Sequence, residues 1–217
     1  MRLTHGRLTL ELHEIAAGRS GHQALLLLHP LYGSSAYWSE APVTWPGGVY
    51  ALDFSGHGCS DWLQGGAYYA ELLAADADAA LAHIGRAAVV GAGLGAYVAL
   101  LLAGSRAELV TATLLVPGAG LSGAGPAPEF TAPRLPIDHP LPHESKGAHD
   151  PMVRVLDREV RPPEYVEPFA RAANRLLLID DQGPRPPWWQ AARRSPRAES
   201  APADLSVAWE RLAAISP

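Results

Sequence analysis

One run constrains this chain more than any other: Ala88-Val89-Val90-Gly91-Ala92-Gly93-Leu94-Gly95-Ala96-Tyr97-Val98-Ala99-Leu100. Its first residues suit a buried strand, and the three glycines mark a sharp turn. The apolar residues that follow suit a helix enclosed on most sides. From Ala87 to Ser105 there is no charged residue, a length that approaches a membrane-spanning helix. The glycines decide against that reading, because they fall where the strand pattern stops and the helical one begins. Val90 to Ala96 also fits G-x-G-x-x-A, in which backbone amides approach a pyrophosphate. That reading needs a carboxylate at the end of the next strand, and Leu115-Val116-Pro117-Gly118 has none.

The rest of the chain supports a parallel α/β protein. Leu8 to Ile15 alternates apolar and polar residues, as a half-exposed strand does. Ala24–Leu28, Val49–Asp53 and Leu109–Val116 are continuously apolar, which suits strands covered on both faces. Tyr68–Ile84 has helical spacing, Pro163–Ala173 and Leu205–Ile215 are expected helices, and Arg175–Asp180 is an expected strand. We therefore expect one domain over residues 1–217, a mostly parallel twisted sheet with helices on both faces. Residues 117–151 are rich in glycine and proline and form an irregular excursion. Residues 184–202 carry no clear period.

Composition narrows the partners. Hydrophobic residues make up 48% of the 217 and charged residues 18%, so a packed core is affordable. A formal charge of -5 gives no reason to expect nucleic acid or an anionic membrane. The single cysteine, Cys59, excludes an intrachain disulfide and a zinc framework. With no apolar leader near Met1, the expected home is the cytoplasm, and no cofactor or metal is expected.

Three ordered motifs resemble the α/β-hydrolase superfamily: Leu25-Leu26-Leu27-Leu28-His29-Pro30-Leu31-Tyr32-Gly33-Ser34, then Asp53-Phe54-Ser55-Gly56-His57-Gly58-Cys59-Ser60-Asp61, then the glycine turn. The resemblance covers roughly the first half of the chain and implies a hydrolase-like fold with a reduced or absent cap. It also implies that residue 93 is the nucleophile position, where the family's G-x-S-x-G pattern has serine. Here it is Gly93. His29 is followed by Pro30, where the family usually has glycine. The family's base is a histidine near the C-terminus, whereas all nine histidines of this chain lie at or before His149.

What remains is a set of expectations. The backbone N–H groups of Leu31 and Leu94, with Tyr32 beside them, form an oxyanion-type pocket able to hold a carbonyl or carboxylate oxygen. Asp180 and Asp181 stand near one place where the family puts its acid, and His29 is a possible base. His57 is read as structural, and Cys59, expected near the cleft, is not expected to be catalytic. Asp138, His139, His143, Glu144, His149 and Asp150 collect ligand types without metal spacing. Of Trp188 and Trp189, one is expected to face outward or stack under arginine. The leading functional expectation is a non-hydrolytic protein that binds a small molecule or a partner through the old cleft. The alternatives are an enzyme with displaced catalytic groups, using His29 or loop histidines on water, and a scaffold whose cleft is filled.

Overall fold

The computed structural model describes residues 1–41, 44–65, 67–121, 149–159, 161–180 and 183–216. Its centre is an eight-stranded sheet in the order β1-β2-β4-β3-β5-β6-β7-β8. The strands are β1 (Arg2–His5), β2 (Leu8–Ala16), β3 (Ala24–Leu28), β4 (Val49–Asp53), β5 (Ala87–Ala92), β6 (Val110–Val116), β7 (Leu176–Ile179) and β8 (Ala198–Ala201). The β1–β2 and β2–β4 pairs are antiparallel, and all others are parallel.

The uninterrupted apolar strands follow from double coverage. Leu26 and Leu28 of β3 pack with α1 (Ala70–Ile84) and α2 (Leu94–Ser105), whereas Leu25 and Leu27 pack with Trp38 and Trp209 on the other face. Successive strand residues point to opposite faces, so a strand covered twice has no polar positions to alternate. The short helices α3 (Val155–Arg158), α4 (Glu167–Ala172) and α5 (Pro187–Arg193) follow the excursion, and α6 (Leu205–Ile215) closes the chain. α6 starts at Asp204, whose carboxylate accepts the N–H groups of Ser206 and Val207. It buries Ala208, Trp209 and Leu212 at helical spacing.

Three features are not read from the sequence. A first hairpin strand, β1, lies outside β2, which is therefore next to the sheet edge. Residues 184–202 contain both α5 and β8, too short to show a period. Trp188 and Trp189 are both buried in the same cluster, at 3% and 2% exposure. Starting a helix, they meet edge-on at 5.5 Å while Tyr97 packs against Trp188, and Arg185 lies 5.4 Å from the Trp189 ring, the arginine contact expected for one of the pair, although the burial of both on one side is not expected. Adjacent residues on a helix are about 100° apart, which a wide apolar face accommodates. The uncharged run 87–105 is split between β5 and α2, and among the described residues no helix is long and apolar enough to cross a membrane.

Candidate functional site

Gly93 links β5 to α2 with φ 53° and ψ −115°, a left-handed conformation that side-chain-bearing residues adopt only under strain. Gly91 and Gly95, two residues to either side, are glycines because the turn is crowded. A Cβ on Gly95 would collide with the Leu28 and His29 carbonyls of the adjacent strand end. Space is also denied at Gly93 itself. A Cβ there would overlap the Ala119 carbonyl oxygen and lie 2.6 Å from the Ala119 nitrogen and the Gly118 carbonyl carbon.

The same carbonyl takes both amides of the oxyanion pair. Leu94 N–H donates to Ala119 O at 2.8 Å and Leu31 N–H donates to it at 3.1 Å. Two donors on one oxygen, one of them at the N-terminus of a twelve-residue helix, is the geometry that would hold a substrate carbonyl. Here the oxygen belongs to the chain. Gly93 N–H is likewise spent, on Val116 O at 2.9 Å. Residues 117–121 therefore fold back from β6 over the turn. Leu121, itself at φ 50° and buried, is fixed by its N–H to Leu156 O at 2.7 Å.

The loops around the turn are held by buried carboxylates. Asp53 ends β4 and accepts Ser35 N–H at 2.6 Å and Cys59 N–H at 2.9 Å, with His13 Nε2 at 3.1 Å. Burial pushes its carboxyl up, but the Cys59 and Ser35 N–H groups outweigh burial and hold it below the usual range. Gly58 is obligatory, since a Cβ at its φ of 55° would strike that carboxylate. Asp76, buried on α1, accepts Ser55 N–H and Ser55 Oγ and pairs with His5 Nδ1 at 2.6 Å. Asp150 accepts the Tyr68 hydroxyl at 2.9 Å, and its N–H donates to Gly56 O.

Three histidines stack beside the Leu31 loop. His29 and His57 are fully buried with ring centroids 5.0 Å apart, and His149 follows at 6.5 Å from His57. His29 Nδ1 pairs with Pro30 O at 2.8 Å, and Phe54 N–H donates to its Nε2 at 3.2 Å. Those contacts fix the neutral tautomer, with the proton on Nδ1. Burial pushes its pKa down to about 4. His57 is held well below its ordinary value, first by burial and then by His29. Its Nε2 has no partner among the described residues.

The sequence profile of the Alpha/beta hydrolase family matches residues 25–215. The chain belongs to that family. Solved structures agree on the fold. A thioesterase domain from the curacin biosynthetic pathway aligns at 18% identity over 99% of this chain and 97% of its own, with TM-score 0.67. An N-formylmaleamic acid deformylase from Pseudomonas putida aligns at 14% identity over 100% and 99%, also with TM-score 0.67. A carboxylesterase of the thaumarchaeon Nitrososphaera gargenis aligns at 13% over 97% and 93%, with TM-score 0.66. No curated protein matches the chain.

Within this hydrolase-family chain the sequence-selected residues are only partly gathered. Gly93, Leu31 and Leu94 meet at the turn, and Tyr32 is next to it, at φ 64° and 4.8 Å from the His149 ring. His29 is close by, but both its nitrogens are committed to the backbone, so neither is offered to a water. Asp180 is drawn away by a bidentate pair with Arg193, at 3.1 and 2.9 Å, on the surface. The Arg193 contact holds its carboxyl below the usual range. Asp181 lies outside the described residues, as do Asp138, His139, His143 and Glu144. Cys59 is exposed. Among the described residues no cluster of three metal-ligating side chains occurs. Sequence reasoning missed Ala119, whose backbone carbonyl takes both amides and whose side chain carries no signal.

Proposed function

We propose that this chain is a non-hydrolytic member of the alpha/beta hydrolase family whose catalytic centre is closed by its own backbone, and that it acts by binding rather than by turnover. The observation that carries this reading is the Ala119 carbonyl, held by Leu31 and Leu94 N–H at 3.1 and 2.8 Å. It replaces a substrate oxygen in the hole and fills the volume into which a residue-93 side chain would project. Gly93 brings no nucleophile, and His29 has no free nitrogen to serve as base. Of the three expectations, the filled cleft agrees best with this geometry. A ligand entering the old centre would have to displace a doubly hydrogen-bonded carbonyl.

The test is turnover of a short-chain activated ester by the purified chain, beside the His149→Ala variant. The reading predicts hydrolysis no faster than in buffer for both. Hydrolysis by the wild type that disappears on changing His149, the one histidine of the 117–151 excursion among the described residues, would replace this reading with an enzyme using displaced groups.

A further inference from the structure

We infer that the end of the sheet opposite the glycine turn holds a binding site for a small hydrophilic anion, carrying carboxylate or phosphate groups. A cleft of about 730 Å³ opens there, at the start of β3, β4 and β5. Its walls come from the β2–β3 loop (Arg19, His22, Gln23), from Tyr50, from Arg86 and from Ser216 beyond α6. The size falls within the range of small-molecule sites. The chemistry is polar and cationic. Arg19 and Arg86 oppose only Glu14 among the acids that line it, an excess of positive charge in a chain whose formal charge is -5.

Two observations mark this cleft as more than a surface dent. Among the described residues, no ion pair or side-chain hydrogen bond engages Arg19 or Arg86. By contrast Arg106, Arg161, Arg193 and Arg211 each bind a carboxylate within 2.9 Å. Unpaired guanidinium groups sharing one concave surface match the planar oxygen pairs of carboxylate and phosphate. The second is a set of unmet hydrogen-bonding groups in the same wall. Both side-chain atoms of Gln23 and the Ser216 hydroxyl are enclosed with no partner among the described residues. Buried polar groups left unpaired destabilise the fold, and a ligand that offers donors and acceptors relieves that cost. Gln23 is held in place by its own carbonyl, which accepts Trp45 Nε1–H at 2.9 Å.

The site is independent of the closed turn. Its test is titration of the 15N-labelled chain with inorganic pyrophosphate and, separately, with citrate, followed by backbone and Gln side-chain amide shifts. The expected result is saturable binding tighter than about 1 mM, with shifts at Gly18 to Ala24, Arg86 and the Gln23 amide. Affinity should fall at least about tenfold in the Arg19→Ala, Arg86→Ala double variant, a loss of one good charge-assisted contact or more. Both substitutions are on exposed side chains, so the fold should persist. Preference for pyrophosphate assigns the site to phosphates, and preference for citrate assigns it to carboxylates. Saturation by neither probe overturns the inference. So does binding that the double variant leaves unchanged.

Discussion

At the two ends of this sheet the polar groups are differently engaged, matched to one another at the glycine turn and facing an open cleft at the amino ends of the strands. Alpha/beta folds usually bind ligands at the carboxyl ends of their strands, where loops diverge and helix N-termini point inward. In this chain that end is sealed: the Gly93 turn, the Leu31 and Leu94 amides and the Ala119 carbonyl complete one another. The amino ends of β3, β4 and β5 instead frame an open cleft lined by Arg19 and Arg86, which form no ion pair among the described residues. A shared fold thus fixes where amides and helix ends lie, but a few backbone atoms of a connecting segment decide whether they are available.

A matched pair of substitutions measures that difference. Gly93 and Gly21 both have left-handed φ, 53° and 84°, but a Cβ on Gly93 strikes Gly118 and Ala119, whereas one on Gly21 meets nothing within 4 Å. Gly93→Ala should therefore cost about 1–3 kcal/mol in backbone strain and about as much again in overpacking. Gly21→Ala should cost only about 1 kcal/mol. Urea unfolding of the two variants checks this, and equal losses would break the comparison. Gly93→Ser should be as destabilising as Gly93→Ala and should show no gain in ester hydrolysis.

Acid should weaken the sealed end first. His29 is neutral in the fold, with its pKa pushed from 6.5 to about 4 by burial. A depressed folded pKa means the stabilisation is complete above pH 6.5 and is lost as pH falls toward 4, about 3 kcal/mol in all. Asp53, held below the usual carboxylate range, adds a further loss below about pH 4. Unfolding free energies measured between pH 7 and 4 should fall accordingly. His29→Gln should flatten that dependence even though it lowers stability at pH 7. A slope unchanged by the variant would contradict the buried neutral assignment. A smaller effect is expected at the surface, where Arg193→Ala removes the exposed pair with Asp180 and should leave the thermal midpoint nearly unchanged.

Much of the fold is legible in the sequence because doubly covered strands read as unbroken apolar runs, as in Ala24–Leu28 and Val49–Asp53. The turn is legible because Gly91, Gly93 and Gly95 answer to backbone crowding that no other residue tolerates. The roles of Asp53 and Gly58, one carboxylate gathering loops and one glycine making room for it, emerge only from the folded loops, because the motif that contains them names the residues and not their contacts. The closure is not legible. It depends on the path of Pro117 to Leu121 and on a carbonyl that every residue possesses. Nor is the Arg19–Arg86 cleft, whose walls are far apart in sequence and meet only when the sheet forms. The tryptophan pair misleads for a related reason, since adjacency suggests opposite directions until a helix start gives both a common face.

The central claim is that the Ala119 carbonyl occupies the amide pair at the glycine turn. The most direct measurement is the NMR scalar coupling across those hydrogen bonds, from the Leu94 and Leu31 amide nitrogens to the Ala119 carbonyl carbon. Correlations from both amides to that single carbon are expected, with slow solvent exchange of both protons. Absence of both correlations together with rapid exchange would mean that the hole is open in solution, and the closed centre proposed here would be wrong.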